Sequence, residues 1–141
     1  MSTSNELFLD AAYLIALAVS RDQHHERAIA LRDDLKLSPK RLVTTRAVAL
    51  EIGNALAKAR YRAAAVHLLR AFERDPNVEV VPISEELYVR AFELYQDRRD
   101  KEWGITDCVS FIVMQDRGLT MALTSDVHYQ QAGFRALLRE G

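Results

Sequence analysis

The stretch "ELFLDAAYLIALA", residues 6–18, decides how the rest of the chain is read. Its opening, "ELFL", is apolar at consecutive positions rather than alternate ones. That pattern fits a strand buried on both faces of a sheet. The strand ends at Asp10, and small apolar residues then run in a helical pattern through Ala18. An acid thus stands where a buried strand hands over to a helix.

Working outward, the same alternation repeats. "QHHERAIALRDDLKL" has helical spacing and is closed by Pro39. "RLVTT" reads as a second strand feeding the helix "AVALEIGNALAKA". "YRAAAVHLLRAFER" is a further helix, stopped before Pro76, and "VEVVPI" is a third strand. Ser84 caps "EELYVRAFELYQDRR". Thr106 is expected to cap a helix that starts at Asp107 and ends at Gly118, a residue suited to the left-handed exit. "TMALTS" is a fourth strand, and "HYQQAGFRALL" supplies a turn and an edge strand. Strands alternating with helices predict an α/β fold, a three-layer α/β/α sandwich around a parallel sheet, with residues 1–141 as one domain.

The composition is that of a globular chain, 49% hydrophobic and 28% charged. Its 19 basic and 20 acidic residues leave a formal charge of -1, so any surface for nucleic acid must be local. One cysteine, Cys108, excludes an internal disulfide and fits a reducing compartment. The start lacks a basic leader region, and its apolar run holds Asp10 and is too short to span a bilayer. A cytoplasmic protein with no membrane segment is expected.

In parallel sheets ligands bind outside the carboxyl ends of the strands. Asp10 and Asp126 follow strands, and Asp107 opens a helix that can begin at the same edge. Each has a local explanation: Asp10 and Asp126 as helix or turn caps, Asp107 as a partner for the helix dipole. Glu51 differs. It flanks the stripe Val48, Ile52, Leu56 and Ala59, half-buried, and its neighbours one turn away are Ala47, Val48, Asn54 and Ala55. With no cation there, a local ion pair is ruled out. Four converging carboxylates without a sequence-adjacent lysine or arginine repel unless protonated or bound to a cation. All-oxygen ligation suits Mg²⁺ or Mn²⁺, ions able to activate water for attack at phosphorus.

The order strand–Asp10, helix–Glu51, "EWGITDCVSFIVM" with Asp107, and "LTSDVHYQQAGF" with Asp126 resembles the PIN-domain nucleases, above all the VapC-type toxins of bacterial toxin–antitoxin pairs. The likeness spans essentially the whole chain and is most specific in the last two segments. It implies a Mg²⁺- or Mn²⁺-dependent endoribonuclease that cleaves phosphodiesters with metal-activated water, leaving a 5′-phosphate and a 3′-hydroxyl. Asp10, Glu51, Asp107 and Asp126 match the family's catalytic acids, with Asp10 and Asp107 as direct ligands. It also implies RNA as substrate, a small antitoxin as partner, and a homodimer. Members commonly carry a hydroxyl residue after the first aspartate, and here the sequence is "DAA". Thr106 or Ser125 is expected to supply the outer hydrogen bond instead.

Other residues keep two readings. Lys58, Arg60 and Arg62, and Arg98, Arg99 and Lys101, either hold RNA phosphates or form solvated helix ends. Trp103 stacks on a base or packs the loop before Asp107, and His128 touches substrate or serves structure. His24 and His25 point apart on a helix and cannot chelate together, and Cys108 is expected in the core. Leu68, Leu69, Phe72, Leu87, Phe92 and Tyr95 belong to the core or to a dimer face. Two alternatives to the nuclease are a catalytically silent PIN-like module that binds RNA or protein, and a phosphoacceptor receiver domain. The latter needs an acidic pair at the first strand and a late lysine, and "LFLDAA" and "TMALTS" provide neither.

Overall fold

The computed structural model describes residues 5–141; the first four residues, part of the stretch read for a leader, lie outside them. The elements follow in the order β1 (Glu6–Leu9), α1 (Ala11–Ala18), α2 (His25–Leu37), β2 (Arg41–Thr45), α3 (Arg46–Ala55), α4 (Ala59–Arg74), β3 (Val78–Val81), α5 (Glu85–Asp97), α6 (Ile105–Arg117), β4 (Met121–Leu123), α7 (Val127–Gln131) and β5 (Arg135–Ala136). A 3₁₀ turn, Leu137–Arg139, ends the chain. The five strands form one parallel sheet in the order β3-β2-β1-β4-β5, flanked by helices. The α/β/α sandwich is therefore as expected.

β1 is the central strand, and its apolar run is explained by that position. Phe8 pairs with Val43 of β2 on one side and Ala122 of β4 on the other, and Leu7, Phe8 and Leu9 are all buried. The buried Thr44 hydroxyl donates to the Leu9 carbonyl at 2.7 Å, fixing β2 against the end of β1 where the first acid follows. α1 packs on α2 and α3, and α5 packs on α6.

Two helix boundaries beside the acids differ from the sequence reading. The helix carrying Asp107 starts at Ile105, and Gly104, not Thr106, takes the cap position in an extended conformation. Asp107 reaches back to accept the Gly104 N–H at 3.2 Å, so an acid in the third helical position does the capping. The helix expected to continue to Ala59 stops at Ala55, because Leu56 turns into the core and Lys58 is extended. Gly118, at φ 65°, ends α6 in the left-handed region, as its sequence position suggested.

Of the six apolar residues with two readings, Phe72 and Leu87 are core, Leu68 and Leu69 pack against it, and Phe92 and Tyr95 are exposed. Phe111 joins α6 to the far side of the core. Its ring meets Trp103 edge-on at 4.9 Å and Tyr129 edge-on at 5.0 Å. Trp103 is itself buried, and its indole N–H donates to Gln131 Oε1 at 2.9 Å, so packing is its role. Phe111→Ala is expected to cost about 3–5 kcal/mol in urea unfolding, the range for deleting a buried aromatic ring; Phe111→Leu should cost clearly less.

Candidate active site

Asp10 emerges from the end of β1 almost wholly buried, 5% exposed. Although it occupies the cap position of α1, its side chain makes no cap bond. Its oxygens instead accept the Thr124 hydroxyl at 2.7 Å and the Tyr129 hydroxyl at 3.1 Å. Thr124 follows β4, and its Oγ1 also accepts the Asp126 N–H at 3.1 Å. One threonine thus ties two acids together across two neighbouring strands. The capping account fails for Asp10.

It holds for Asp126, whose carboxylate accepts the His128 N–H at 2.8 Å and opens α7. The same short helix brings the His128 ring back over the acids. Its Nδ1 lies 2.9 Å from Asp107 Oδ2 and 3.4 Å from Asp126 Oδ1. One oxygen from each of these aspartates and one His128 ring nitrogen lie within 4.8 Å of one another. Asp107 is half-buried and tethered to the Gly104 N–H. Glu51 approaches from α3; as a residue it is exposed, not half-buried as its place on the helical wheel suggested. Its carboxyl is nonetheless partly dehydrated and faces the combined charge of Asp10, Asp107 and Asp126.

Electrostatics follow from this geometry. Burial pushes Asp10 up to about 6 against the two hydroxyls that pull it down, with the Asp107 charge adding to the rise. Glu51 is pushed up to about 7 by dehydration first and then by the three aspartates. Asp107 is raised by burial, opposed by its bond to His128. Among the described residues no lysine or arginine forms an ion pair with any of the four acids. Hard oxygen donors gathered without a lysine or arginine ion pair among the described residues fit a divalent cation.

The hydroxyls that hold the aspartates are those of Thr124 and Tyr129. Thr106 and Ser125, the expected donors, are half-buried and engage through their carbonyls, which accept from Ser110 Oγ and Arg139 respectively. The signal for Thr124 was present in "LTSD", one residue before the serine chosen from sequence. Tyr129 lies three residues beyond Asp126, visible only once that stretch is a helix. Cys108 is buried, and its thiol is pushed up to about 11.

The two basic groups are placed differently. Arg98 grips Asp100 through two 3.0 Å bonds and lies 4.9 Å over the Trp103 ring, while Lys101 sits 3.5 Å from Asp100. Arg99 is exposed. This group leads directly into Gly104 and the start of α6. Lys58 takes the cap position of α4, and Arg60 and Arg62 stand on its first turn; Arg62 donates to the Ala57 carbonyl and Arg60 lies 4.9 Å over Tyr61. The histidine pair is likewise separated, with His25 Nδ1 on the Ala16 carbonyl at 2.7 Å.

The PIN domain family model matches residues 7–135, nearly the whole chain. No curated protein matches the sequence. Among solved structures, the chain is similar to VapC20 from Mycobacterium tuberculosis, described as a sarcin–ricin loop cleaving toxin. The two are 26% identical with a TM-score of 0.81, over 91% of this chain and 95% of that one. VapBC from Salmonella typhimurium, bound to DNA, shares the fold at 16% identity and TM-score 0.65, over 93% and 96% of the respective chains. FitAcB from Neisseria gonorrhoeae shares it at 20% identity and TM-score 0.61, over 92% and 94%.

The raised carboxyls set the pH response of the metal-free protein. A carboxyl whose folded pKa exceeds its unfolded value binds its proton more tightly when folded. Its stabilising contribution is full below the unfolded value and lost as pH rises through the folded one. For Asp10 that loss runs from about 3.8 to about 6, and for Glu51 from about 4.5 to about 7. Glu51→Gln, which cannot ionise, is expected to melt above the wild type at pH 8 in EDTA and together with it at about pH 4, below the unfolded value. Coincident melting at both pH values would contradict the repulsion.

Proposed function

The chain belongs to the PIN domain family, and on that premise we propose that it is a divalent-metal-dependent endoribonuclease, the toxin of a type II toxin–antitoxin pair. The carrying observation is the acidic group Asp10, Glu51, Asp107 and Asp126, with no lysine or arginine ion pair among the described residues. The similarity to a toxin that cleaves the sarcin–ricin loop supports the same class of substrate, RNA.

Asp107 and Asp126 would hold the ion, Mg²⁺ or Mn²⁺, together with Asp10; Glu51 closes the site from α3, directly or through water. When bound, a divalent ion lowers the pKa of an attacking water and neutralises charge on the phosphate. The chain's own groups fix the geometry. Thr124 and Tyr129 lock Asp10, and the Gly104 N–H and His128 lock Asp107, so neither acid reorganises as phosphate enters. His128 positions Asp107 through Nδ1. The basic groups Lys58, Arg60, Arg62, Arg98, Arg99 and Lys101 offset the repulsion that four carboxylates present to a polyanion.

The silent-module reading rested on "DAA", and the donors on Asp10 from Thr124 and Tyr129 remove that reason to prefer it. A small antitoxin is the proposed partner, in keeping with the VapBC assemblies that share the fold. A homodimer is proposed on the exposed apolar surface of Leu50, Ile83, Tyr88 and Phe92. A cytoplasmic location follows from an RNA substrate, and among the described residues no helix is long and apolar enough to cross a membrane.

Asp107→Asn is expected to lower RNA cleavage at least ~100-fold, since it removes a charge from the ion's direct ligands. Its melting temperature without metal should not fall. Induced expression with mapping of RNA 5′ ends, wild type against variant, reads the loss. Cleavage at equal rates would refute the assignment.

A further inference from the structure

Beside the acidic group lies a cleft of about 480 Å³ between the end of α5 and the loop that leads into α6. Gly104 belongs to both places: it lines the cleft, and its N–H is held by the Asp107 carboxylate at 3.2 Å. The cleft therefore shares Gly104, three residues before a proposed catalytic acid, with the hydrogen bond that tethers that acid. Its wall is rigid. Trp103 is anchored by Gln131, which lies on the same helix α7 that Asp126 caps, and Arg98 lies over the indole while gripping Asp100.

The cleft's free groups differ in kind from its scaffold. Arg98 is consumed by Asp100 and the indole. Arg99 is exposed and forms no ion pair among the described residues, and Lys101 shares Asp100 with Arg98 at 3.5 Å. Tyr95, on the last turn of α5, lines the same cleft with 49% of its surface exposed. A planar ring beside an uncommitted guanidinium, next to a phosphodiester-cleaving site, has the chemistry of a nucleotide site. Arginine takes the phosphate and tyrosine the face of a base. A base can reach a ring only when it is not paired in a helix.

We propose that this cleft binds one unpaired nucleotide of the RNA substrate next to the scissile phosphate, with Tyr95 stacking on its base and Arg99, aided by Lys101, holding its phosphate. The proposal rests on the ribonuclease reading and adds to it a binding subsite outside the acidic group, built by Tyr95 and Arg99. An acidic segment of a protein partner would use the cations but has no need of the ring.

The test measures RNA binding apart from cleavage. Asp107→Asn, in magnesium buffer, is titrated into a fluorescein-labelled unstructured 12-nucleotide RNA and into the same sequence as a duplex, across a range of salt. The parent is expected to prefer the single strand. Tyr95→Leu added to it should weaken single-strand binding about tenfold, within the range for one lost stacking contact, and Tyr95→Phe should keep it. Arg99→Gln should reduce the slope of log affinity against log salt by about 0.7, one phosphate contact on a single strand. Parent-like affinity and slope in both variants would overturn the cleft while leaving the nuclease standing. The same holds if the variants change only the oligomeric state in sedimentation, which would assign this face to a second copy of the chain. A wild type that neither binds nor cuts RNA would overturn the ribonuclease reading and the cleft with it.

Discussion

The site depends on a carboxyl group removed from water at the end of the central strand. Asp10 can occupy that position only because two hydroxyls meet it, one from the residue after β4 and one from α7. Burying an ionised carboxylate is costly, and two hydrogen bonds offset only part of the cost, so the group sits high, at about 6. Holding Asp10 also orders its surroundings. Thr124 must lie where it can donate to Asp10 and accept from Asp126. Tyr129 must lie flat enough in the core to meet Phe8 at 6.2 Å and Phe111 at 5.0 Å while its hydroxyl reaches the acid. The aromatic core and the acidic edge are therefore one construction, shared through a single tyrosine.

The second constraint is repulsion. Glu51, Asp107 and Asp126 add charge around Asp10, with the His128 ring beside two of them and no lysine or arginine ion pair among the described residues. Burial and this repulsion together hold the Asp10 and Glu51 carboxyls above the usual carboxylate range. Acidic charge gathered in this way suits a divalent cation. Among the described residues, Arg41 and Arg117 are engaged with Glu79, Arg90 with Asp116 and Arg46 with Glu73, in exposed pairs that include none of the four acids.

Much of this was legible in the sequence because the relevant signals are local. "LFL" and "MAL" announce strands buried on both faces, and the rule that ligands gather at strand carboxyl ends sorts Asp10, Asp107 and Asp126 onto one edge. Glu51 stood out because no cation lies one turn away on its helix. What stayed hidden depends on contacts made only by folding. Thr124 and Tyr129 lie 114 and 119 residues from Asp10 in the chain. No spacing rule links them to it. Thr106 and Ser125 adjoin acids in sequence, yet among the described residues their hydroxyls form no hydrogen bond to any of the four carboxylates, and it is their carbonyls that are engaged. His128 was weighed only as a neighbour of Asp126, whereas a turn of helix aims it at Asp107, a residue 21 positions earlier. The start of α6 was misplaced for a related reason: Asp107 caps its own helix from inside, so the acid that marks the helix is not its first residue.

Proton release on metal binding tests the central claim most directly. Calorimetric titration of Mn²⁺ into the wild-type protein, in buffers of different ionisation enthalpy, counts the protons displaced per ion. With Asp10 near 6 and Glu51 near 7, about 1.4 protons should leave per ion bound at pH 6, and almost none above pH 8. Mn²⁺ binding with no proton release at pH 6, or no binding at either pH, would contradict the account.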